Sequence, residues 1–486
     1  MADTAAPRLV VPEPASAVRA VAALAVAASL LGCSILPGYT HANRPLADHV
    51  PPPTRASLVL DVTRRPFPPS RAFVGIAMSG GGSRAANFSA AALFALEELG
   101  FLRHAAALSA VSGSSLAVAY YGLAGPEPGR WEPTTVQALL RTDFEARWLV
   151  RWFWPQNILR YWLTDFDRSD IMTRVFDQVL FRGATFAAMG GIDAGPRIFL
   201  NATDFTGLQR FTFTDQAFAA MGSRLDAYPL SHAVMASGAF PGVFANVTLR
   251  DFRASEPGRY AHLLDGGPTD NLGVSTLLEI ARELYRRPAA ALRPSGCFFF
   301  IVDAYANTEY EEIRVRLSES GGDPSALPGS RQRDTRTALG YFIDTNALAA
   351  ANVLLYHSRL NLLREVGIDA TRSWQAPVHE FPLFPDGEAG AVACLAWHVT
   401  FDRLLAGELA GEGPGTRAAD VASIVKRIQT RYALIGPDGR TPEELQAALF
   451  EAARLLLRED RPALARACGW FAAHGLGALT GCRPGS

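Results

Sequence analysis

Three short segments stand out for the reactions their side chains and backbone can support. The first is Ser79-Gly80-Gly81-Gly82-Ser83-Arg84. Three glycines ahead of a helix leave backbone N–H groups bare, which suits an oxyanion hole or a phosphate cradle. The second is Gly113-Ser114-Ser115-Leu116-Ala117. It approximates G-x-S-x-G, the sharp strand-to-helix turn that exposes a serine hydroxyl at a helix N-terminus. Ala117 stands in the place of the last glycine and is still small, so Ser115 is the serine this pattern selects. The third is Asp265-Gly266-Gly267, directly after the apolar run His262-Leu263-Leu264. A carboxylate at a strand tip projects into the cleft where the other tips converge. Taken singly, a small-residue turn explains Ser115 and an Asp-Gly turn explains Asp265.

Other chemistries fit less well. Gly80 to Ala85 also matches a dinucleotide-binding fingerprint, but that site needs an acidic residue at the tip of the second strand. Here the tip carries Ser112-Gly113-Ser114-Ser115 and offers no carboxylate to a ribose. A P-loop is excluded because no Lys-Ser/Thr follows at the required offset. His357, His379, His398 and His474 follow Asp265 in the order of a Ser-Asp-His triad, yet none stands at a legible strand tip. Asp165, Asp167 and Asp170 lack the EF-hand glycine. The five cysteines (Cys33, Cys297, Cys394, Cys468 and Cys482) show no C-x-x-C spacing. Neither a metal nor a cofactor is expected.

The elements that must hold these residues alternate in kind. Ala72 to Met78 is an apolar run ending in glycines, as in a buried strand feeding a turn. Helical spacing follows over 84–99, with Gly100 as the stop. A second strand from Ala107 to Val111 and a helix from about Ser115 to Tyr121 repeat the pattern, which is that of a parallel α/β sheet. Further strands are expected at 197–200, 211–213, 260–264, 297–302 and 393–401, and helices at 230–236, 271–285, 337–366, 419–433 and 442–458. The fold class expected is α/β, with a mostly parallel central sheet, helices on both faces and a helical C-terminal extension.

In this order, the glycine loop, the serine turn and the Asp-Gly-Gly resemble the patatin-like phospholipase family over roughly residues 72–305. Asn201-Ala202-Thr203-Asp204 with Gly207, and Ala236-Ser237-Gly238-Ala239-Phe240-Pro241, resemble family segments that lie between the serine and the aspartate. The resemblance implies a Ser-Asp dyad rather than a triad. Ser115 would be the nucleophile and Asp265 its base. The Gly80, Gly81 and Gly82 N–H groups would form the oxyanion hole with Arg84 supporting the loop, and Gly113, Ala117, Gly266 and Gly267 would supply the tight turns. The activity implied is hydrolysis of carboxylic esters of phospholipids or lysophospholipids. A general carboxylesterase or thioesterase on the same dyad, and an idle membrane-tethered scaffold, stand as alternatives.

The chain has 486 residues, 49% hydrophobic and 19% charged, with a net charge of −1. That composition suits a large globular core and excludes a disordered chain. It also lacks the basic excess of a nucleic-acid binder, so no nucleic-acid partner is expected. Residues 20–31 form an apolar run too short to span a bilayer, which takes about 20 residues, and it ends at Leu30-Leu31-Gly32-Cys33. This resembles a lipoprotein signal over 1–32 with Cys33 as the lipidated residue, which implies a bacterial envelope location, by Ser34 the outer membrane. Residues 33–70 are proline-rich and read as a tether, 71–305 as the catalytic core, and 306–486 as a mostly helical portion packed on it. Residues 147–162 interleave Trp148, Trp152, Trp154 and Trp162 with Arg147, Arg151 and Arg160. They suit either a helical pair packed on the sheet or a membrane-facing lid. Cys468 and Cys482 are close enough to pair in an oxidising compartment, while Cys297 and Cys394 read as buried. The sequence leaves the oligomeric state open.

Overall fold

The computed structural model describes residues 39–46, 72–124, 129–189, 195–254, 258–286, 293–306, 345–369, 376–385, 392–405, 417–436, 439–477 and 479–482. The leader, Cys33 and most of the proline-rich stretch lie outside the described residues. Among the described residues nine strands form one sheet: β1 (Phe73–Met78), β2 (Ala107–Val111), β3 (Arg197–Asp204), β4 (Gln209–Thr212), β5 (Val247–Arg250), β6 (Tyr260–Asp265), β7 (Cys297–Asp303), β8 (Val378–Pro382) and β9 (Ala393–Thr400). Their order is β5-β6-β3-β2-β1-β7-β9-β8, with β4 paired to β3. The five central strands β3, β2, β1, β7 and β9 are parallel, and the flanking pairs are antiparallel.

The helices that frame the site are α1 (Gly82–Glu98), α2 (Ser114–Ala124), α3 (Phe144–Trp152), α4 (Pro155–Leu163), α5 (Leu230–Ser237), α6 (Val274–Tyr285), α7 (Thr345–Glu365), α8 (Pro442–Arg454) and α9 (Arg461–Ala473). Period-two alternation divides the sheet into two buried faces. Val74, Ile76 and Met78 of β1 and Phe298, Phe300 and Val302 of β7 join one core, shared with α1, α2 and α8. Phe73 and Ala77, with Phe299 and Ile301, join the other, covered by Leu277, Leu278 and Ile280 of α6 and by Leu362 and Leu363 of α7. The architecture is therefore the expected helix–sheet–helix sandwich.

The C-terminal part is more than an added helical layer. β9 lies parallel to β7 and β8 closes that edge, so residues beyond 305 complete the sheet begun at β1. The register sets Cys297 opposite Cys394, and the two form a disulfide; Cys468 and Cys482 form another. α8 packs on α1 and brings the C-terminal chain to the glycine loop. α7 is fixed from beneath by a buried ion pair, Arg359 Nε to Asp303 Oδ2 at 2.7 Å, with His398 Nε2 at 2.9 Å from the same oxygen. Burial alone would raise the Asp303 pKa, but Arg359 and His398 hold it well below the usual carboxylate range.

One expectation changes. Residues 39–46, part of the stretch read as a tether, dock on the body: Asn43 is buried, donates to Ser223 Oγ and Arg250 O, and accepts from the Arg250 N–H. The tryptophan–arginine stretch is two helices, because Pro155 starts a new one. Asp167 and Asp170 form a reciprocal capping box at the helix Arg168–Phe176, which gives these acids a structural role.

Candidate active site

The β2–α2 turn places Ser112 where Ser115 was expected. Ser112 follows the last residue of β2 and has φ 53°, a left-handed conformation that costs a non-glycine residue about 1–3 kcal/mol. The turn is held by the residues around it. The Ser114 hydroxyl accepts from the Val111 N–H and lies against Met78 O at 2.9 Å, tying β2 to β1. The Ser112 N–H donates to Ser237 Oγ at 2.8 Å. Gly113 is obligatory for packing, since a Cβ there would fall 2.0 Å from the Gly82 carbonyl oxygen.

Register brings the carboxylate to this turn. Val111 pairs with Asn201 on β3, and Ala202 pairs with Asp265 on β6, so Ser112 and Asp265 reach the same level on either side of β3. The Ser112 hydroxyl donates to Asp265 Oδ2 at 2.7 Å. The other carboxylate oxygen accepts from the Gly267 N–H at 2.8 Å, and the Asp265 N–H donates to Ala239 O. Both residues are buried, Ser112 at 8% exposure and Asp265 at 3%. Burial pushes the Asp265 pKa up to about 6, against the lowering effect of the hydrogen bonds from Ser112 and Gly267. Gly266 allows the turn, because a Cβ would sit 2.5 Å from Asn201 O.

Ser115 is not part of this pair. Its hydroxyl lies 2.8 Å from Ser237 Oγ, inside α2 and fully buried. Ser237 Oγ spends its hydrogen on Asn201 O at 2.6 Å, so Ser115 is the donor to Ser237. Ser115 and Ser237 thus form a hydroxyl brace beneath the turn, and Ala117 is a buried packing residue of α2. On these distances the serine that meets Asp265 is Ser112, not Ser115. The segment around Ser237 gains a physical role: its hydroxyl holds the Ser112 N–H, and its carbonyl accepts from the Gly266 N–H.

The glycine loop divides its work. The Gly80 N–H donates to Asn271 O, so it is spent on structure. Among the described residues no acceptor meets the N–H of Gly81 or Gly82, which stand at the start of the 17-residue α1. Gly81 has φ 141° and Gly82 φ 59°, and a Cβ on Gly82 would fall 2.3 Å from Arg431 O. The backbones of Gly113, Gly82 and Arg431 therefore touch in series. Arg84 braces the loop, donating to Ala304 O and Ile428 O. Gly113→Ala is expected to force this stack apart, lowering stability by about 3 kcal/mol and ester turnover by at least about tenfold. Thermal unfolding beside an esterase assay checks it, and wild-type values in both would contradict the packing described.

Ser112, Asp265 and the three glycines line one cavity of about 910 Å³. Trp148 of α3, Phe240, Phe244, Leu355 of α7 and Tyr432 supply apolar and aromatic walls. The Tyr432 hydroxyl donates to Gly238 O and lies beside Ser112. At the rim, Arg431 pairs with Glu145 of α3. No histidine lines the cavity among the described residues; His398 is committed to Asp303, and His474 stacks on Trp470.

Residues 76–278 match the patatin-like phospholipase family model. Solved structures similar to this chain include human GIVD cytosolic phospholipase A2, 12% identical over 94% of this chain and 66% of that chain with a TM-score of 0.46. The same human enzyme in complex with methyl gamma-linolenyl fluorophosphonate is 13% identical over 84% and 60%, also at 0.46. VipD from Legionella pneumophila is 12% identical over 80% and 67%, at 0.30. The chain thus spans 60% to 66% of the length of the human enzyme chains. A comparison with curated protein sequences found no match.

Proposed function

We propose that this chain, a patatin-like phospholipase over residues 76–278, hydrolyses carboxylic esters of phospholipids or lysophospholipids with Ser112 as nucleophile and Asp265 as base. The observation that carries the reading is the Ser112 hydroxyl donating to a buried Asp265 carboxylate from a strained turn. A serine hydroxyl is a weak nucleophile until a base removes its proton. As Ser112 Oγ bonds to the ester carbonyl carbon, its proton passes to Asp265 Oδ2. The carbonyl oxygen becomes an oxyanion and receives hydrogen bonds from Gly81 and Gly82 at the positive end of α1, where one such donor is worth about 2.7–4 kcal/mol. Collapse breaks the ester C–O bond, and the leaving alkoxide takes the proton back from Asp265. Water then repeats the sequence on the acyl-enzyme, returning the fatty acid and free Ser112.

The apolar walls of the cavity suit an acyl chain. A comparison of fatty acid release from phosphatidylcholine with that from a short soluble ester tests the substrate class. Turnover of the phospholipid is expected at a rate equal to or above that of the soluble ester, whereas soluble esters alone would point to a carboxylesterase.

An envelope location belongs to the same proposal. The Leu-Leu-Gly-Cys33 sequence and the two disulfides both suit a chain exported from the reducing cytosol. Labelling of the protein by radioactive palmitate, lost in Cys33→Ser, is the expected result. An unlabelled wild-type protein would remove the anchor from the proposal. Among the described residues no helix is long and apolar enough to cross a membrane.

A further inference from the structure

α3 and α4 bury little of what they carry. Phe144 and Trp148 of α3 face the body, and in α4 only Asn157 is buried. Trp152 and Ile158 are half-buried, and the remaining large apolar side chains reach solvent. On α3 and its C-terminal cap Phe153, Leu149 is 47% exposed, Val150 62% and Phe153 56%; on α4, Leu159 is 59% exposed, Trp162 36% and Leu163 47%. Trp154 at the junction is 45% exposed. At about 100° per residue, each group of three falls within an arc of roughly 100°, and on α3 that arc lies away from Phe144 and Trp148. Seven of the thirteen exposed large apolar side chains among the described residues sit in this one stretch. Chance scatter of surface apolar residues does not concentrate them so.

The patch adjoins the cavity. α3 lines it through Glu145 and Trp148, and Val243 and Val353, exposed at 36% and 55%, stand on the same cavity's wall. Its charge also differs from that of the whole chain. Residues 144–163 carry three arginines (Arg147, Arg151 and Arg160) against one acid, Glu145, in a protein of net charge −1. Exposed tryptophan and leucine with interleaved arginine match the layered chemistry of a bilayer surface, apolar boundary below and phosphate above.

We infer that the α3–α4 pair is a docking surface for an anionic lipid bilayer, seating its apolar stripe in the acyl boundary and turning the mouth of the Ser112 cavity toward the lipid. The functional meaning of this surface rests on the proposed lipid ester hydrolysis, but the docking itself does not.

The test uses the full chain with Cys33→Ser, which removes any acyl anchor, and mixed phosphatidylcholine–phosphatidylglycerol vesicles with brominated acyl chains. Tryptophan fluorescence is expected to be quenched on vesicle addition, and Trp154→Phe/Trp162→Phe to lose most of that quenching. Val150→Glu/Phe153→Glu/Leu159→Glu/Leu163→Glu is expected to weaken vesicle partition at least about tenfold. Its vesicle hydrolysis should fall in parallel while soluble ester hydrolysis stays within about twofold of the parent. Quenching that survives both tryptophan substitutions, or partition unchanged by the four glutamates, overturns the assignment. So does a parent dimer that the glutamates dissociate, since a second copy would then be the occupant. Partition is read without turnover, so a chain that binds vesicles through this surface yet cleaves no ester would sink the hydrolase reading and leave the docking surface standing.

Discussion

Ser112→Ala is expected to abolish ester hydrolysis, by about 10⁴-fold or more, and to abolish covalent labelling by a fluorophosphonate, while Ser115→Ala keeps both within about tenfold of wild type. The two hydroxyls lie three residues apart and differ in what receives their hydrogen. Ser112 Oγ faces a carboxylate oxygen at 2.7 Å, so a base is in place to take its proton. Ser115 Oγ faces a hydroxyl whose own hydrogen is committed to Asn201 O, and nothing there can accept a full proton. Truncating Ser115 removes one buried hydrogen bond, a loss of about 1–2 kcal/mol, and leaves Ser237 bonded to both Asn201 O and the Ser112 N–H. The Ser115 variant should therefore melt earlier and still react. Mass spectrometry of the labelled peptide reads the attachment site directly. Labelling at Ser115, or persisting in Ser112→Ala, would overturn the assignment.

The exchange of one serine for the other shows what local pattern can carry. The glycine loop and Asp265-Gly266-Gly267 were legible because their signals are local: bare amides before a helix, and an acid at a strand tip. The strand Ala107–Val111 was legible too, from its apolar run. The G-x-S-x-G spacing, centred on Gly113 and Ala117, puts the nucleophile within the first turn of α2. Chemistry needs it in the turn itself, at positive φ, directly after the strand. The residue following Val111 is Ser112, and small residues flank it at Ala110 and Ser114. The walls of the cavity had no such signal. Tyr305 follows β7, Leu355 lies on α7 and Tyr432 precedes α8, so they meet at the site through long-range packing that leaves no local sequence mark. The Cys297–Cys394 pairing is of the same kind, since two strands remote in the chain must first become neighbours in register.

Asp265→Asn is the second large effect, and it separates activity from stability. Burial first, against the hydrogen bonds from Ser112 and Gly267, sets the Asp265 pKa at about 6, above the ordinary 3.8. The base works only when ionised, so wild-type turnover should rise with pH, reach half its maximum near about 6, and level off above. The stability contribution runs the other way. A carboxyl whose folded pKa is raised holds its proton more tightly in the native state. Its favourable contribution is complete below the unfolded value, falls as pH rises through 3.8 to about 6, and is absent above that. Across that window the loss is at most about 3 kcal/mol, at 1.36 kcal/mol per pH unit. An asparagine is isosteric and carries no charge to bury. Its carbonyl oxygen can accept from the Gly267 N–H and its amide can donate to Ser112 Oγ, so both wild-type hydrogen bonds have a counterpart. The variant should therefore lose about 10³–10⁴-fold in turnover and unfold at a higher temperature than wild type at pH 8, with the difference vanishing near pH 4. Parallel pH series of initial rates and of melting temperature measure both. Equal melting temperatures across the range would mean that Asp265 is not a strained, buried charge, and a wild-type rate in the variant would mean that it is not the base.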